Sequence, residues 1–157
     1  MTSAFAFTLA GASALILLAR LVVPQLPLAR LAVRLSVVDT VLLVCGVVGL
    51  AFHCAAMFYR TIFDGVPLGP LVDMVNAMNV ASIMLYVVPA ALVLIGMRRQ
   101  NWVSLAVLAL ALLFVGVTMY AGSPLNVHLG AIFAAVVALV SQIALFAIPP
   151  WRRAAKP

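Results

Sequence analysis

The sequence predicts an all-α, polytopic integral membrane protein, a bundle of about five transmembrane helices. Apolar residues make up 68% of its 157 residues, far above the ~45–50% that is typical of soluble domains. Five apolar runs each reach about the ~20 residues that a helix needs to cross the hydrocarbon core of a bilayer. These runs are 4–23, 37–59, 75–97, 102–120 and 127–148, and they leave one transmembrane domain over 1–157 with only short connectors.

The distribution of basic residues predicts the orientation of the bundle. With five spans, Arg60 is the one basic residue on its side of the membrane, and the other eight lie opposite: Arg20, Arg30, Arg34, Arg98, Arg99, Arg152, Arg153 and Lys156. Because Lys and Arg concentrate in cytoplasmic loops, this split predicts an outside N-terminus and an inside C-terminus. The preference for arginine and the absence of glutamate are compatible with a GC-rich bacterial genome. We therefore expect a multi-pass protein of the bacterial cytoplasmic (inner) membrane.

The first apolar run is expected to remain as a helix. It lacks the basic n-region of a signal peptide, and it is longer than the ~7–15 residues of an h-region. Arg20 lies near its inner end, where a long side chain can reach the lipid headgroups. The segment 24–35 that follows is predicted to be a short interfacial helix, with Arg30 and Arg34 on one face and leucines on the other.

Small residues form a stripe on the second run and another on the fifth. Gly46 and Gly49 precede His53 at helical spacing, and Gly130, Ala134 and Ala138 follow one another at intervals of four residues. Small side chains let two helices approach closely in lipid. Both stripes are candidate packing seams, either within the bundle or against another subunit.

The connector before the third run is expected to end one helix and start another. Asp64-Gly65 is a turn signal, and a helix can restart at Pro70 and continue into the third run. Along that continuous helix, polar residues recur every third position as a ridge: Asp73, Asn76, Asn79 and Ser82. Polar side chains within a membrane rarely face lipid, so the ridge is expected to face protein, water or a ligand. Further along, Pro89 should kink the helix near Leu85.

The predicted topology gathers an outer polar cluster: His53, Arg60, Asp73, Asn76, Asn79 and His128. Arg60 is expected to pair with Asp73 or Asp64. His53 and His128, with the soft ligands Cys54 and Met57 nearby, make a haem or copper site one alternative. A membrane enzyme using His53 or Asp73 as acid or base is another, although the absence of glutamate excludes the zinc motif HExxH. A transporter of a lipid-soluble substrate is a further alternative. It is disfavoured because no predicted span carries a carboxylate or a lysine at mid-membrane to act as a coupling site.

The favoured hypothesis is a non-catalytic accessory or structural subunit of a larger bacterial membrane complex, a transporter or a respiratory assembly. No catalytic residue or cofactor is predicted under this hypothesis. Its partners would be membrane lipid and other integral membrane subunits, reached by lateral helix packing. Nucleic acid is not expected as a partner, because the net charge of +6 lies beside the spans and suits anionic headgroups.

Overall fold

The computed structural model describes residues 3–23 and 33–147, and all the secondary structure of those residues is helical. The helices are α1 (Ser3–Val22), α2 (Val37–Phe58), α3 (Gly69–Asn76), α4 (Val80–Gly96), α5 (Trp102–Tyr120) and α6 (Leu125–Gln142). A 3-10 turn over Arg60–Phe63 follows α2, and a π-helical turn over Ile143–Ala147 follows α6. Arg30, Arg152, Arg153, Lys156 and most of the predicted interfacial helix lie outside the described residues.

The predicted all-α fold is confirmed, and its helices are compatible with a multi-pass membrane protein. Four helical segments are long and apolar enough to cross a membrane: α1, α2, α5, and α6 with its π-helical turn. Helices α3 and α4 together would make a fifth span, broken in the middle. The predicted runs 4–23, 37–59, 102–120 and 127–148 coincide closely with the four unbroken segments.

The third predicted span is not the continuous helix over 75–97 that the sequence suggested. Helix α3 ends at Asn76, α4 begins at Val80, and the two axes differ in direction by 102°. Met78 at the break has a φ of 50°, in the left-handed region. The Asn79 side chain accepts hydrogen bonds from the backbone N–H groups of Ala81 and Ser82, so it caps a new helix. The predicted polar ridge is therefore divided between two helices.

The tightest helix pair is α2 against α4, and three glycines make it possible. A Cβ at Gly46 would lie 2.7 Å from the Pro89 carbonyl oxygen, and one at Gly49 would lie 2.6 Å from Pro89 Cγ. On the opposite helix, a Cβ at Gly96 would lie 2.8 Å from the Asp39 carbonyl oxygen. Any side chain at these positions would push the two backbones apart. Helix α4 itself continues through Pro89.

The remaining helices are arranged around this pair. Helix α5 packs on α4 and α6 packs on α5, and the core that they share with α2 fully buries Val93, Met97 and Leu108. Helix α3 folds back over α2 and buries Val72 and Val75. Helix α1 is peripheral and packs on α6.

Arg20 is predicted to reach the lipid headgroups, but its side chain is buried against the bundle instead. It is the one buried residue of α1. Its side chain is 3% exposed, and its Nε donates to the Ala144 carbonyl oxygen at 2.7 Å. Ala144 lies in the π-helical turn. Arg20 thus supplies a donor to the end of α6 and docks α1 there.

Replacing Gly46 by alanine is predicted to destabilise the bundle. The new methyl group would meet the Pro89 backbone at 2.7 Å, and overpacking of this kind costs ~1–3 kcal/mol. Thermal unfolding in mild detergent should show a lower midpoint than the parent protein. Gly130→Ala is the matched control, because nothing lies within 4 Å of a Cβ there. Equal midpoints for the two variants would contradict the packing of α2 on α4.

Candidate functional site

His53 is buried on α2 at the end of the bundle that we call the His53 end. Its side chain is 3% exposed, its ring makes an edge-to-face contact with Tyr86 at 5.6 Å, and neither ring nitrogen makes a well-formed hydrogen bond. The ring does interact with the backbone of Leu85 on α4. Pro89, four residues later, has no N–H to donate to the Leu85 carbonyl. His53 therefore lies beside a carbonyl group that the helix itself leaves without its usual partner.

His128, on α6 at the same end of the bundle, has a partner on α5. Thr118 Oγ1 lies 2.9 Å from His128 Nδ1 and donates to the Val115 carbonyl at 3.0 Å. Since a hydroxyl has one proton, His128 must be the donor to Thr118, and this fixes the proton on Nδ1. The His128 ring also lies 5.9 Å from the Phe58 ring of α2.

Three hydroxyl contacts tie α4 to α3 and α5. Tyr86 Oη donates to the Leu112 carbonyl of α5 at 2.5 Å. Ser82 Oγ donates to the Val75 carbonyl of α3 at 2.8 Å, and it therefore accepts from the Tyr120 hydroxyl, which is 3.1 Å away. Sequence reasoning did not single out Tyr86 or Tyr120. Tyr120 ends its span, where tyrosine is a common interfacial residue. Tyr86 lies in the middle of an apolar run, and nothing in its spacing indicates a buried partner.

The rest of the outer polar cluster forms local contacts at the edge of the bundle. Arg60 Nη2 lies 2.6 Å from Asp73 Oδ1, one of the two pairings expected from the sequence. Both side chains are more than 60% exposed, so this pair contributes little to stability. Asn76 Nδ2 donates to the carbonyls of Ala56 and Val72, which fastens α3 to α2. The structure thus brings Arg60, Asp73 and Asn76 together and leaves Asn79 as a helix cap.

The opposite end of the bundle, which we call the Asp39 end, holds a buried carboxylate that the sequence did not single out as a site. Asp39 is 0% exposed, and Arg98 Nη2 and Arg99 Nε lie 2.8 Å and 3.2 Å from its two oxygens. Ser36 Oγ donates to the same carboxylate at 2.7 Å and receives the Asp39 backbone N–H. The sequence signal was the Ser36-x-x-Asp39 capping pattern, followed by paired arginines at the end of the neighbouring span.

The small residues predicted as packing seams occupy two different environments. Gly46 is buried and Gly49 half-buried, and both face Pro89 of α4 inside the bundle. Gly130 and Ala134 are exposed, and Ala138 is half-buried. Within the part of the chain that the structure describes, the α6 stripe has no helix packed on its Gly130 and Ala134 positions. This stripe would face lipid or another subunit.

An apolar cleft of about 440 Å³ opens sideways between α4 and α5. It follows α4 from Ile83 to Leu94 and α5 from Ala109 to Tyr120. Tyr86 and Tyr120 are its polar residues, and both hydroxyl groups are already engaged in the hydrogen bonds described above. The cleft is therefore suited to a hydrocarbon chain or an apolar helix rather than to a polar substrate.

The titratable side chains of the described residues allow few kinds of chemistry. Among residues 3–23 and 33–147, no group of three or more His, Cys, Asp or Glu side chains is placed to hold a metal ion. His53 and His128 are the two imidazoles, and the carboxylates of Asp39 and Asp73 are each paired with arginine. Comparison with protein-family models, with curated proteins and with solved structures finds no match to this chain.

Asp39→Asn is predicted to destabilise the protein more than Asp73→Asn. The first change leaves two guanidinium groups beside a buried neutral amide, whereas the second breaks a solvent-exposed pair worth ~0–1 kcal/mol. Thermal unfolding of both variants in the same detergent measures the difference. If Asp39→Asn unfolds at the midpoint of Asp73→Asn or above it, the buried carboxylate does not hold the Asp39 end together.

Proposed function

We propose that the protein is a non-catalytic accessory subunit of a larger assembly in the bacterial inner membrane, bound to its partners by lateral helix packing. The observation that carries this proposal is the exposed small-residue stripe of α6. Where the chain places glycines inside its own bundle, at Gly46 and Gly49, the neighbouring helix fills the space completely. At Gly130 the space beside the helix is open.

The use of the polar side chains supports the same proposal. An enzyme or a transporter needs reactive or ion-coupling groups that reach a substrate. In the described residues, Arg60 pairs with Asp73, Asn76 binds backbone carbonyls, Asn79 caps a helix, and His128 donates to Thr118. Each of these contacts fixes helix position. Among the described polar groups at this end, the ring nitrogens of His53 and the hydroxyl of Tyr59 are buried without a well-formed hydrogen bond.

The surface available for partners is the lateral face of the helices. The segments outside the spans are short, and the cleft between α4 and α5 is apolar and opens sideways. Helix–helix association in lipid depends on close van der Waals packing of small residues rather than on a hydrophobic driving force. The α6 stripe provides the required close approach. A transporter or a respiratory complex is the class of assembly that such a subunit would join.

The orientation of the subunit is a separate prediction. The positive-inside rule places the Asp39 end, with Arg34, Arg98 and Arg99, at the cytoplasmic face. Reporter fusions after Pro157 and within the turn 121–126 should then report opposite sides, with Pro157 in the cytoplasm. Two fusions on the same side would remove a span and overturn the topology.

Gly130→Leu and Ala134→Leu are predicted to weaken recovery of the partner without preventing membrane insertion. A leucine at either position keeps the two helices from close approach. The measurement is co-purification from native membranes in mild detergent, with Ala106→Leu on the exposed face of α5 as the matched control. Recovery of the same partner with Gly130→Leu and with the parent would contradict the proposed seam.

The same preparation decides between this proposal and the cofactor alternative. An absorption spectrum with a Soret band, or stoichiometric copper by metal analysis, would replace the subunit role with a haem or copper site at His53 and His128. Loss of that signal in His53→Leu would identify the ligand. A complex that purifies with neither signal supports the subunit role.

A further inference from the structure

The Asp39 end of the bundle carries more positive charge than its own side chains balance. Arg98 and Arg99 share the single carboxylate of Asp39, and exposed Arg34 lies two residues before the Ser36 cap. The Gln100 side chain donates to the Val33 carbonyl at 3.1 Å, which holds the two loops side by side. The remaining acidic side chains of the whole sequence are Asp64 and Asp73, both between α2 and α4 at the other end. The excess charge needs a counterion from outside the chain.

The two arginines are held with most of their donors unused. A guanidinium has five N–H donors. Arg98 uses its Nη2 for Asp39 and its Nη1 for the Ile95 carbonyl, and Arg99 uses its Nε for Asp39. Their side chains are 44% and 52% exposed, although the carboxylate between them is fully buried. The buried side of each guanidinium is therefore anchored, and its outer side is available to an acceptor.

The apolar cleft between α4 and α5 leads towards these arginines. Leu94 is the cleft residue closest to the end of α4, and Arg98 follows it four residues later, in the turn after that helix. From Leu94 to Ile83 the cleft runs along twelve residues of α4, a length of about 16 Å at ~1.5 Å per residue step. Half of a ~30 Å hydrocarbon core is about the same length. The cleft thus matches one acyl chain descending from a headgroup at Arg98.

We propose that the Asp39 end is a binding site for one anionic phospholipid. Its phosphate accepts hydrogen bonds from the outer sides of Arg98 and Arg99, and one acyl chain lies in the α4–α5 cleft. Arginine suits this role because its planar donor fork matches phosphate oxygens. Asp39 is a positioning residue that fixes both guanidiniums from the buried side, and Arg34 adds to the local attraction. This inference does not depend on the proposed subunit role or on the orientation of the protein.

The test is a lipid competition on the full chain in mild detergent. The protein is incubated with equal amounts of dioleoylphosphatidylglycerol and dioleoylphosphatidylcholine, and retained lipid is counted by native mass spectrometry. The parent protein should retain one phosphatidylglycerol in preference to phosphatidylcholine. Arg99→Gln should lower that preference about fivefold, the effect of one basic residue near an anionic surface. Arg60→Gln is the matched control, because it removes the same charge at the opposite end and should leave the preference unchanged.

Two further variants test the site without disturbing the buried ion pairs. Arg34→Gln should lower the preference for phosphatidylglycerol, since Arg34 makes no contact with Asp39 in the described structure. Ala91→Leu fills the cleft and should reduce retention of the dioleoyl lipid while sparing a short-chain dihexanoyl phosphatidylglycerol. Ala6→Leu on the exposed face of α1 is its control.

The outcomes separate the possible sources of the anion. Equal loss of preference in Arg60→Gln and Arg99→Gln would mean a diffuse effect of net charge and would overturn the proposal. Retention of phosphatidylglycerol by Arg99→Gln and Arg34→Gln at the parent's level would also overturn it. Displacement of the lipid by millimolar inorganic phosphate would show a free-phosphate site instead. Failure of phosphate to compete, together with the loss in Ala91→Leu, establishes a site that needs both headgroup and chain.

Discussion

The close approach of α2 and α4 is the constraint on which the other features of the bundle depend. Gly46, Gly49 and Gly96 remove the side chains that would separate the two backbones, and Pro89 and Asp39 occupy the space. Because the helices are in contact along their length, both ends of the pair are set at once. At one end Asp39 meets Arg98 and Arg99, and at the other His53 meets Tyr86. Neither arrangement would survive a wider separation.

Pro89 affects both the packing of α2 on α4 and the backbone hydrogen bonding of α4. Its ring and carbonyl fit against the glycines of α2, and its missing N–H frees the Leu85 carbonyl one turn earlier. His53 lies beside that backbone group, on the face of α2 that the glycines bring close. Burying a polar side chain without a partner costs several kcal/mol, so a carbonyl that lacks its usual helical N–H donor is a natural neighbour for an imidazole. Pro89 thereby explains why a histidine is buried at position 53.

The two ends of the bundle differ in how far their charged side chains balance one another. At the His53 end, Arg60 and Asp73 form one exposed pair that balances itself. At the Asp39 end, the only carboxylate among the described residues is buried beneath two half-exposed arginines, and the surplus side-chain charge is positive. An excess of positive charge at a membrane surface is most simply neutralised by the anionic lipid of that surface. The exposed stripe of α6 leaves a second, uncharged surface for helix contacts.

The sequence by itself determined the all-α class and the positions of four helical segments long and apolar enough to cross a membrane, because the length and hydropathy of a helix are local properties of the chain. It also indicated the Arg60–Asp73 pair and the small-residue stripes from spacing alone. It could not show the break at residues 77–79, where Asn79 caps a new helix in a run that periodicity joins to Asp73. Which stripe lies inside, which carbonyl meets His53, and where Arg20 docks were decided by tertiary structure. Each of these contacts depends on which helices are neighbours. In an apolar sequence with few charges, the neighbours are selected only by how well the side-chain shapes fit together.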